Sequence, residues 1–364
     1  MGSSEINLAA SQPSLSAGWF SWTRQSDVML RTIEQRILSC VKTVYRRFYV
    51  DIGPVVGECD KIWTIALNEE CPETPLVLVH GMAAGVAFWC PNLDAFAASR
   101  PVYAFDLLGF GRSSRPKFGC SPERVEEQWV ESVEQWRREM RIPQMLLLGH
   151  SLGGYISAAY AIKYPDRVKH LILADPWGFP ERPSDALQKY QLPLWARAVF
   201  TLVQPLNPLW PMRAAGPAGR WLVARMRPDI VRKYKPYVDD AENVIPEYIH
   251  QCNTRTPSGE SAFHTLMEKF GWARNPMERR VGSLDPKLPV TVLYGSRSWV
   301  DCSTADMLRA QRPPGAPTFV QVINGAGHHI YVDKPELFNK YVMEACARVD
   351  NVAEQQSNKE NNET

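Results

Sequence analysis

The chain has 364 residues, with 41 Lys and Arg against 39 Asp and Glu, and a formal net charge of +2 at pH 7. Such a small charge, without a basic block interleaved with aromatic residues, argues against a nucleic-acid-binding protein. No uninterrupted apolar run reaches the roughly 18 residues needed to cross a bilayer, so we expect no transmembrane helix. The 8 cysteines are scattered without CxxC or CxxH spacing. We therefore expect reduced thiols and no metal site.

Residues 1–60 form an N-terminal extension that precedes the first predicted strand of the core. Residues 19–22 read Trp-Phe-Ser-Trp, and apolar residues follow at intervals of three and four. This spacing predicts one face of an amphipathic helix, made of Leu30, Ile33, Ile37, Val41, Val44 and Phe48.

Short runs rich in Val, Leu and Ile then alternate with helical segments. The predicted strands are residues 62–67, 76–80, 102–106, 145–149, 170–175, 290–294 and 319–323. Such runs suit a mostly parallel central sheet covered on both faces, so the fold class is α/β. Between them, Ser121-Pro122 opens a helix whose inner stripe is Val125, Trp129, Val133, Trp136 and Met140.

The alternation breaks in residues 183–286, which are rich in Pro, Trp, Met and Arg. We interpret this interval as a helical lid inserted between two parts of one core, residues 61–182 and 287–349. The polar tail, residues 350–364, cannot bury a core, and we expect it to be disordered.

The most informative motif is Gly149-His150-Ser151-Leu152-Gly153. It follows a predicted buried strand directly and precedes the small-residue stretch 154–159. A strand, G-x-S-x-G and a helix in this order predict a nucleophile elbow that presents the serine hydroxyl at the end of a sheet. Ser151 is therefore the candidate nucleophile.

A serine nucleophile needs a general base, and two adjacent histidines follow the last predicted strand. His328 ends the sequence Gly325-Ala326-Gly327-His328, whose small residues allow a loop to carry the imidazole back over the sheet. Neutral imidazole can take the serine proton and return it to the leaving group. We favour His328 as the base, and His329 is the alternative.

The base needs a carboxylate that orients it. Asp301 follows the strand at residues 290–294 and the loop 295–300, and it is the favoured candidate. Asp175, at the end of the preceding strand, is the alternative. Asp106 is interpreted as a turn former, and the backbone N–H groups of Met82 and Leu152 are the predicted oxyanion donors.

The segment from His328 to Asp333 also spells H-x4-D, a pattern that glycerolipid acyltransferases use. The competing interpretation is a catalytic histidine followed by the start of a helix at Asp333.

The chain resembles the α/β-hydrolase fold with a helical lid and, within it, the abhydrolase-domain-containing subfamily four/five. The serine, aspartate and histidine occur in the order of α/β-hydrolases. The resemblance extends from about residue 19 to residue 349. It is carried by residues 103–116, the elbow at 147–155, the run Asp-Pro-Trp-Gly-Phe-Pro-Glu-Arg-Pro at 175–183 and HHIYVDKPELFN at 328–339.

One branch of this subfamily is a lipase for N-acylphosphatidylethanolamine and its lyso form. The other is a lipid-droplet co-activator of a triglyceride lipase, also described as a lysophosphatidic acid acyltransferase. Ser151 resembles the lipase branch, whereas Arg297 and Gly327 match positions implicated in lipase co-activation. Trp19, Phe20 and Trp22 resemble the droplet anchor of the co-activator.

The resemblance implies a cytoplasmic protein bound peripherally to lipid droplets. It implies lipid substrates, and a triglyceride lipase or droplet coat proteins as partners. No cofactor is expected, although acyl-CoA would be a substrate of an acyltransferase. A soluble ester or epoxide hydrolase for small metabolites is a third class that shares the fold.

Overall fold

An eight-stranded sheet forms the centre of the computed structural model, which describes residues 22–182, 209–268, 271–300 and 303–362. The strands are β1 (Tyr45–Gly53), β2 (Asp60–Leu67), β3 (Leu76–Val79), β4 (Val102–Phe105), β5 (Met145–His150), β6 (Val168–Ala174), β7 (Val290–Gly295) and β8 (Thr318–Ile323). Their spatial order is β1-β2-β4-β3-β5-β6-β7-β8. The pairs β1–β2 and β2–β4 are antiparallel, and the other pairs are parallel.

Helices cover both faces of this sheet. Those of the core are α1 (Trp22–Leu38), α2 (Leu93–Ala97), α3 (Pro122–Glu139) and α4 (Leu152–Lys163). Those that follow β6 are α5 (Trp210–Ala214), α6 (Gly219–Met226), α7 (Pro228–Tyr234), α8 (Ala241–Asn253) and α9 (Gly259–Leu266). The remaining ones are α10 (Ser303–Gln311), α11 (Ile330–Asp333) and α12 (Pro335–Asn362).

The predicted α/β class and mostly parallel sheet are confirmed, and each predicted strand is present within two residues of its expected bounds. The inner stripe of α3 is buried at Val125, Trp129, Val133 and Trp136. Apolar side chains fill both faces of the sheet, because a parallel strand covered on two sides has no face left for water.

The N-terminal extension differs from its expectation. Helix α1 ends at Leu38, and the chain then forms β1 instead of continuing as a helix to Phe48. Strand β1 contains the aromatic and β-branched residues that favour strands. It pairs with β2 along its whole length, and the rings of Tyr49 and Trp63 lie 4.7 Å apart. Pairing with β2 therefore outweighs the accidental helical spacing of Val44 and Phe48.

The C-terminal segment also differs from its expectation. Helix α12 continues to Asn362, although residues 350–364 were expected to be disordered. The segment contains Ala, Glu, Gln and Lys, good helix formers that extend an established helix.

Trp19, Phe20 and the side chain of Trp22 lie outside the described residues. Across the described part of the chain, no helix has the length and apolarity to cross a membrane.

Candidate active site

Ser151 lies in a sharp turn between β5 and α4. Its backbone has φ 53° and ψ −118°, a conformation that a non-glycine residue rarely adopts. The turn leaves no room at its glycines, because a Cβ on Gly149 would lie 2.3 Å from the Gly153 carbonyl oxygen. A Cβ on Gly153 would lie 2.3 Å from the Val79 carbonyl oxygen. The strained strand–turn–helix of a nucleophile elbow is therefore present around Ser151.

His328 reaches this serine from the loop that follows β8. The Ser151 hydroxyl is positioned to donate a hydrogen bond to His328 Nε2, at 3.0 Å. His329 lines the same cavity, and burial together with the neighbouring histidines holds its pKa well below the ordinary value. Of the two adjacent histidines, the geometry brings His328 to the serine.

The carboxylate at the other nitrogen of His328 belongs to Asp175. His328 Nδ1 donates to Asp175 Oδ2 at 2.5 Å, and Asp175 is fully buried. The sequence analysis favoured Asp301 for this position, whereas the geometry gives it to the alternative. Asp175 directly follows β6, which lies between the nucleophile strand β5 and β7, so its side chain needs no long loop to reach the histidine. Asp301 lies outside the described residues.

The loop after β7 donates two hydrogen bonds to the carboxylate of Asp175. The Ser298 hydroxyl donates to Asp175 Oδ2 at 2.5 Å, and the Gly295 N–H donates to Oδ1 at 3.2 Å. Together with His328, these donors compensate for the burial of a carboxylate, which would otherwise be costly. The loop after β7 was expected to carry the acid. It instead contributes donors that orient the carboxylate of Asp175, which follows the neighbouring strand β6.

His150 is a site residue that the sequence analysis did not single out. Its Nε2 donates to the backbone carbonyl of His328 at 2.9 Å, which fixes the loop that carries the base. Burial, with a contribution from His328, lowers the pKa of His150 well below the ordinary value, so the ring is neutral. Its Nδ1 has no hydrogen-bond partner within the described residues.

The predicted oxyanion donors, the N–H groups of Met82 and Leu152, belong to the two segments that flank Ser151. Leu152 is the first residue of α4, so its N–H has no acceptor in the helix. Met82 lines the cavity beside Ser151. Gly81 must be a glycine, since a Cβ there would lie 2.9 Å from both His150 Nδ1 and Ser151 Cβ.

The segment after Met82 is fixed from two directions. Asp106 accepts hydrogen bonds from the N–H groups of Val86 and Arg112, each at 2.8 Å, as expected for a turn former. From α8, Asn253 Nδ2 donates to the Ala83 carbonyl at 3.0 Å. A helix of the inserted region thus contacts the segment that carries Met82.

Asp333, the acidic residue of the H-x4-D pattern, binds two groups near His328. Its Oδ2 accepts from the Gly327 N–H at 2.8 Å, and its Oδ1 lies 2.9 Å from Lys233 Nζ. The carboxylate thus joins the histidine loop to α7. These contacts make Asp333 a positioning residue for the loop.

Ser151 and His328 open into a cavity of about 630 Å³. Its apolar walls suit an acyl chain, and they include Met82, Ala84, Trp177, Phe263, Met267 and Trp299. Arg297 and Gly327, the two residues that the resemblance associates with co-activation, also line it. The Trp299 ring centroid lies 4.9 Å from that of His328.

Comparisons with known proteins agree with this fold. The sequence matches the family described as the alpha/beta hydrolase fold over residues 74–335. The chain belongs to the α/β-hydrolase family.

Within this family, proteins of similar sequence confirm the resemblance to subfamily four/five. The chain is 46% identical to the human "(Lyso)-N-acylphosphatidylethanolamine lipase", over 92% of this chain and 98% of that protein. It is also 46% identical to the mouse "1-acylglycerol-3-phosphate O-acyltransferase ABHD5", over 88% of this chain and 90% of that protein. The protein is similar to both branches to the same degree, so identity alone does not choose between them.

Solved structures share the fold. A naproxen esterase from Bacillus subtilis superposes with a TM-score of 0.61 at 17% identity, covering 91% of this chain and 99% of that one. A putative lipase from Acinetobacter baumannii superposes with a TM-score of 0.63 at 14% identity, covering 94% and 99%.

Proposed function

We propose that this protein is a serine hydrolase that cleaves carboxylic esters of glycerophospholipids through Ser151, His328 and Asp175. The observation that carries the proposal is the continuous hydrogen-bond chain among the three side chains at the base of a largely apolar cavity. This arrangement lets an imidazole remove the serine proton as the oxygen attacks a carbonyl.

Each step uses a group that this geometry makes accessible. The Ser151 oxygen attacks the ester carbonyl while His328 Nε2 takes the hydroxyl proton. The negative charge that develops on the carbonyl oxygen faces the N–H groups of Met82 and Leu152. The bond to the leaving alkoxide then breaks, His328 returns the proton to it, and an acyl-enzyme remains on Ser151.

An oxygen nucleophile then cleaves the ester bond of the acyl-enzyme. Water gives a fatty acid, whereas a lysophospholipid hydroxyl gives acyl transfer, and His328 removes the proton of either acceptor. Both outcomes are consistent with the names of the relatives, a lipase and an acyltransferase. When acyl-CoA is the acyl donor, the bond from the carbonyl to sulfur breaks and the CoA thiol leaves with the proton that His328 returns. We assign hydrolysis as the principal outcome, since the cavity opens to solvent at the exposed Arg297 and Trp299.

Labelling with a fluorophosphonate probe tests the nucleophile. Wild type is expected to react, and Ser151→Ala is expected not to react while keeping the same thermal unfolding midpoint. Equal labelling of both proteins, or none of the folded wild type, would contradict the assignment. Turnover of a panel of lysophospholipids, N-acylphosphatidylethanolamine and monoacylglycerol then identifies the substrate.

A second candidate function is activation of a triglyceride lipase at a lipid-droplet surface. The exposed side chain of Arg297, next to the loop that contains Gly327, supports it, and so do the resemblance and the aromatic residues Trp19, Phe20 and Trp22. Stimulation of a triglyceride lipase on emulsified lipid is the test. Stimulation that survives Ser151→Ala and is lost in Arg297→Ala with Gly327→Ser would favour this function, and absence of stimulation by wild type would exclude it.

A further inference from the structure

We propose that His80 is a positioning residue that directs the backbone N–H of Met82 at the oxyanion. The inference rests on the proposed hydrolase function, and it assigns a task to a buried histidine that the proposed catalytic steps do not use. His80 directly follows β3, and its side chain is 2% exposed. Both of its ring nitrogens have a backbone partner within 3.0 Å.

The two backbone partners determine the tautomer of this ring. Nε2 lies 3.0 Å from the backbone nitrogen of Leu107, and because that N–H is a donor, Nε2 accepts. Nδ1 lies 2.7 Å from the carbonyl oxygen of Gly81, and because a carbonyl is an acceptor, Nδ1 carries the proton. The ring is therefore neutral, with its N–H directed at the Gly81 carbonyl.

A charged His80 paired with Asp106 does not fit this geometry. The carboxylate oxygen Oδ1 of Asp106 lies 3.8 Å from Nε2, but a proton on Nε2 would face the N–H of Leu107. Burial lowers the pKa of His80, although the charge of Asp106 opposes this effect. Both the contacts and the burial therefore favour the neutral ring.

The Gly81 carbonyl and the Met82 N–H belong to one peptide unit. This peptide is trans, so the two groups point in opposite directions across a rigid plane. A hydrogen bond that holds the carbonyl at His80 therefore holds the Met82 N–H on the other side of the plane. Met82 lines the cavity that contains Ser151, and no described residue accepts a hydrogen bond from its N–H. The N–H is thus available to a ligand oxygen.

The turn that contains this peptide needs support from outside. Ala83 has φ 59°, a left-handed conformation that is unfavourable for a residue with a Cβ. Gly81, without a Cβ, has a wide choice of backbone conformations. The hydrogen bond from His80 fixes the Gly81 carbonyl, as the bond from Asn253 fixes the Ala83 carbonyl. Without His80 the peptide can rotate, and the N–H of Met82 loses its alignment.

Two amide variants separate the two contacts of the ring. His80→Asn places its amide near the position of Nδ1 and can still donate to the Gly81 carbonyl. His80→Gln reaches the position of Nε2 and can accept only from Leu107. We expect His80→Gln to lower kcat by about 100-fold with little change in KM, the effect of a misplaced catalytic group. We expect His80→Asn to retain at least a tenfold higher kcat than His80→Gln.

His170→Gln is the matched control for the loss of a buried histidine. His170 is fully buried on β6, and its Nε2 is hydrogen bonded to the Thr291 hydroxyl at 2.8 Å, outside the cavity lining. We expect this variant to keep the wild-type kcat even if its unfolding midpoint falls. Equal losses of kcat in His80→Asn and His80→Gln would overturn the positioning role. A loss that His170→Gln reproduces at equal destabilisation would also overturn it.

The amide signal of Met82, in protein labelled with ¹⁵N-methionine, separates the positioning role from the hydrolase function. Met82→Leu identifies the signal by its loss, and the measurement needs no turnover. We expect His80→Gln to shift the signal and His80→Asn to leave it near its wild-type position. This pattern in a protein that cleaves no ester would support the positioning role and contradict the proposed function. A signal that both variants shift equally, or that neither shifts, in a protein that cleaves esters would overturn the positioning role alone.

Discussion

Asp175 accepts a 2.5 Å hydrogen bond from His328 Nδ1, across 153 positions of the chain. The two residues meet because parallel strands β6 and β8 end at the same edge of the sheet, with only β7 between them. The carboxylate fixes the imidazole tautomer that leaves Nε2 free to accept from Ser151. The position of the acid thus depends on strand order, which the linear sequence does not display.

The identity of the acid gives the first prediction. Asp175→Asn is expected to lower kcat by about 10⁴-fold, because an amide no longer fixes the reactive tautomer of His328. Asp301→Asn is the matched comparison, and kcat for a short-chain ester is the measurement. A loss of this size in Asp301→Asn, with Asp175→Asn nearly as active as wild type, would return the acid role to Asp301.

A second prediction concerns the segment that carries Met82. Asn253→Ala removes the hydrogen bond from α8 to the Ala83 carbonyl and is expected to lower kcat by up to about 100-fold, since small misplacements of catalytic groups have effects of this size. KM should change little, and the affinity for a trifluoromethyl ketone that mimics the oxyanion should fall in parallel with kcat.

Asn243→Ala is the control for this change. Asn243 lies on the same helix, and its side chain binds Asp240 at 2.8 Å, away from the oxyanion segment. Equal effects of the two variants, or a loss in Asn253→Ala that appears only in the unfolding midpoint, would show that Asn253 has no specific role at the oxyanion segment.

Much of the core and part of the site could be predicted from the sequence because their signals are local. Buried parallel strands are short apolar runs, and the elbow around Ser151 requires glycines at fixed positions. His328 was identifiable for the same reason, since small residues precede it and the last strand lies just before it.

The remaining features depend on contacts between distant segments. Asp175 and Asp301 each follow a strand, so only the position of those strands in the sheet decides between them. Strand β1 is defined by its pairing with β2, and the role of His150 is defined by one hydrogen bond to the His328 carbonyl. No local pattern records such contacts.

A third prediction separates the two interpretations of Asp333. If this carboxylate positions the histidine loop through Gly327 and Lys233, Asp333→Ala lowers hydrolysis and acyl transfer by the same factor, about tenfold. Asp333→Asn keeps an oxygen that can accept from the Gly327 N–H and is expected to lose less. The partition of a labelled acyl group between water and a lysophospholipid acceptor is the measurement. A selective loss of transfer in either variant would instead support the acyltransferase motif.

A fourth prediction concerns Glu34, which anchors α1 to the core. Its carboxylate is fully buried and accepts from Trp63 Nε1 at 3.1 Å, with Arg47 and Arg112 each at 3.4 Å. Burial and the charge of Asp106 raise the pKa of Glu34 to about 7, despite the two arginines. Between the ordinary pKa of a glutamate and the pKa of about 7, the folded state therefore keeps a proton on Glu34 that the unfolded state has released.

The sign of the pH dependence follows from this difference. A carboxyl whose pKa is raised by folding stabilises the protein fully below its unfolded pKa, and that contribution is lost as the pH rises through the folded pKa. Between pH 5.5 and 8, wild type is thus expected to lose about 2 kcal/mol of unfolding free energy relative to Glu34→Gln, whose side chain does not titrate. Urea denaturation at the two pH values measures the difference. Glu139→Gln, at an exposed site on α3, should show no such change, and a difference independent of pH in Glu34→Gln would contradict a folded-state titration of Glu34 in this range.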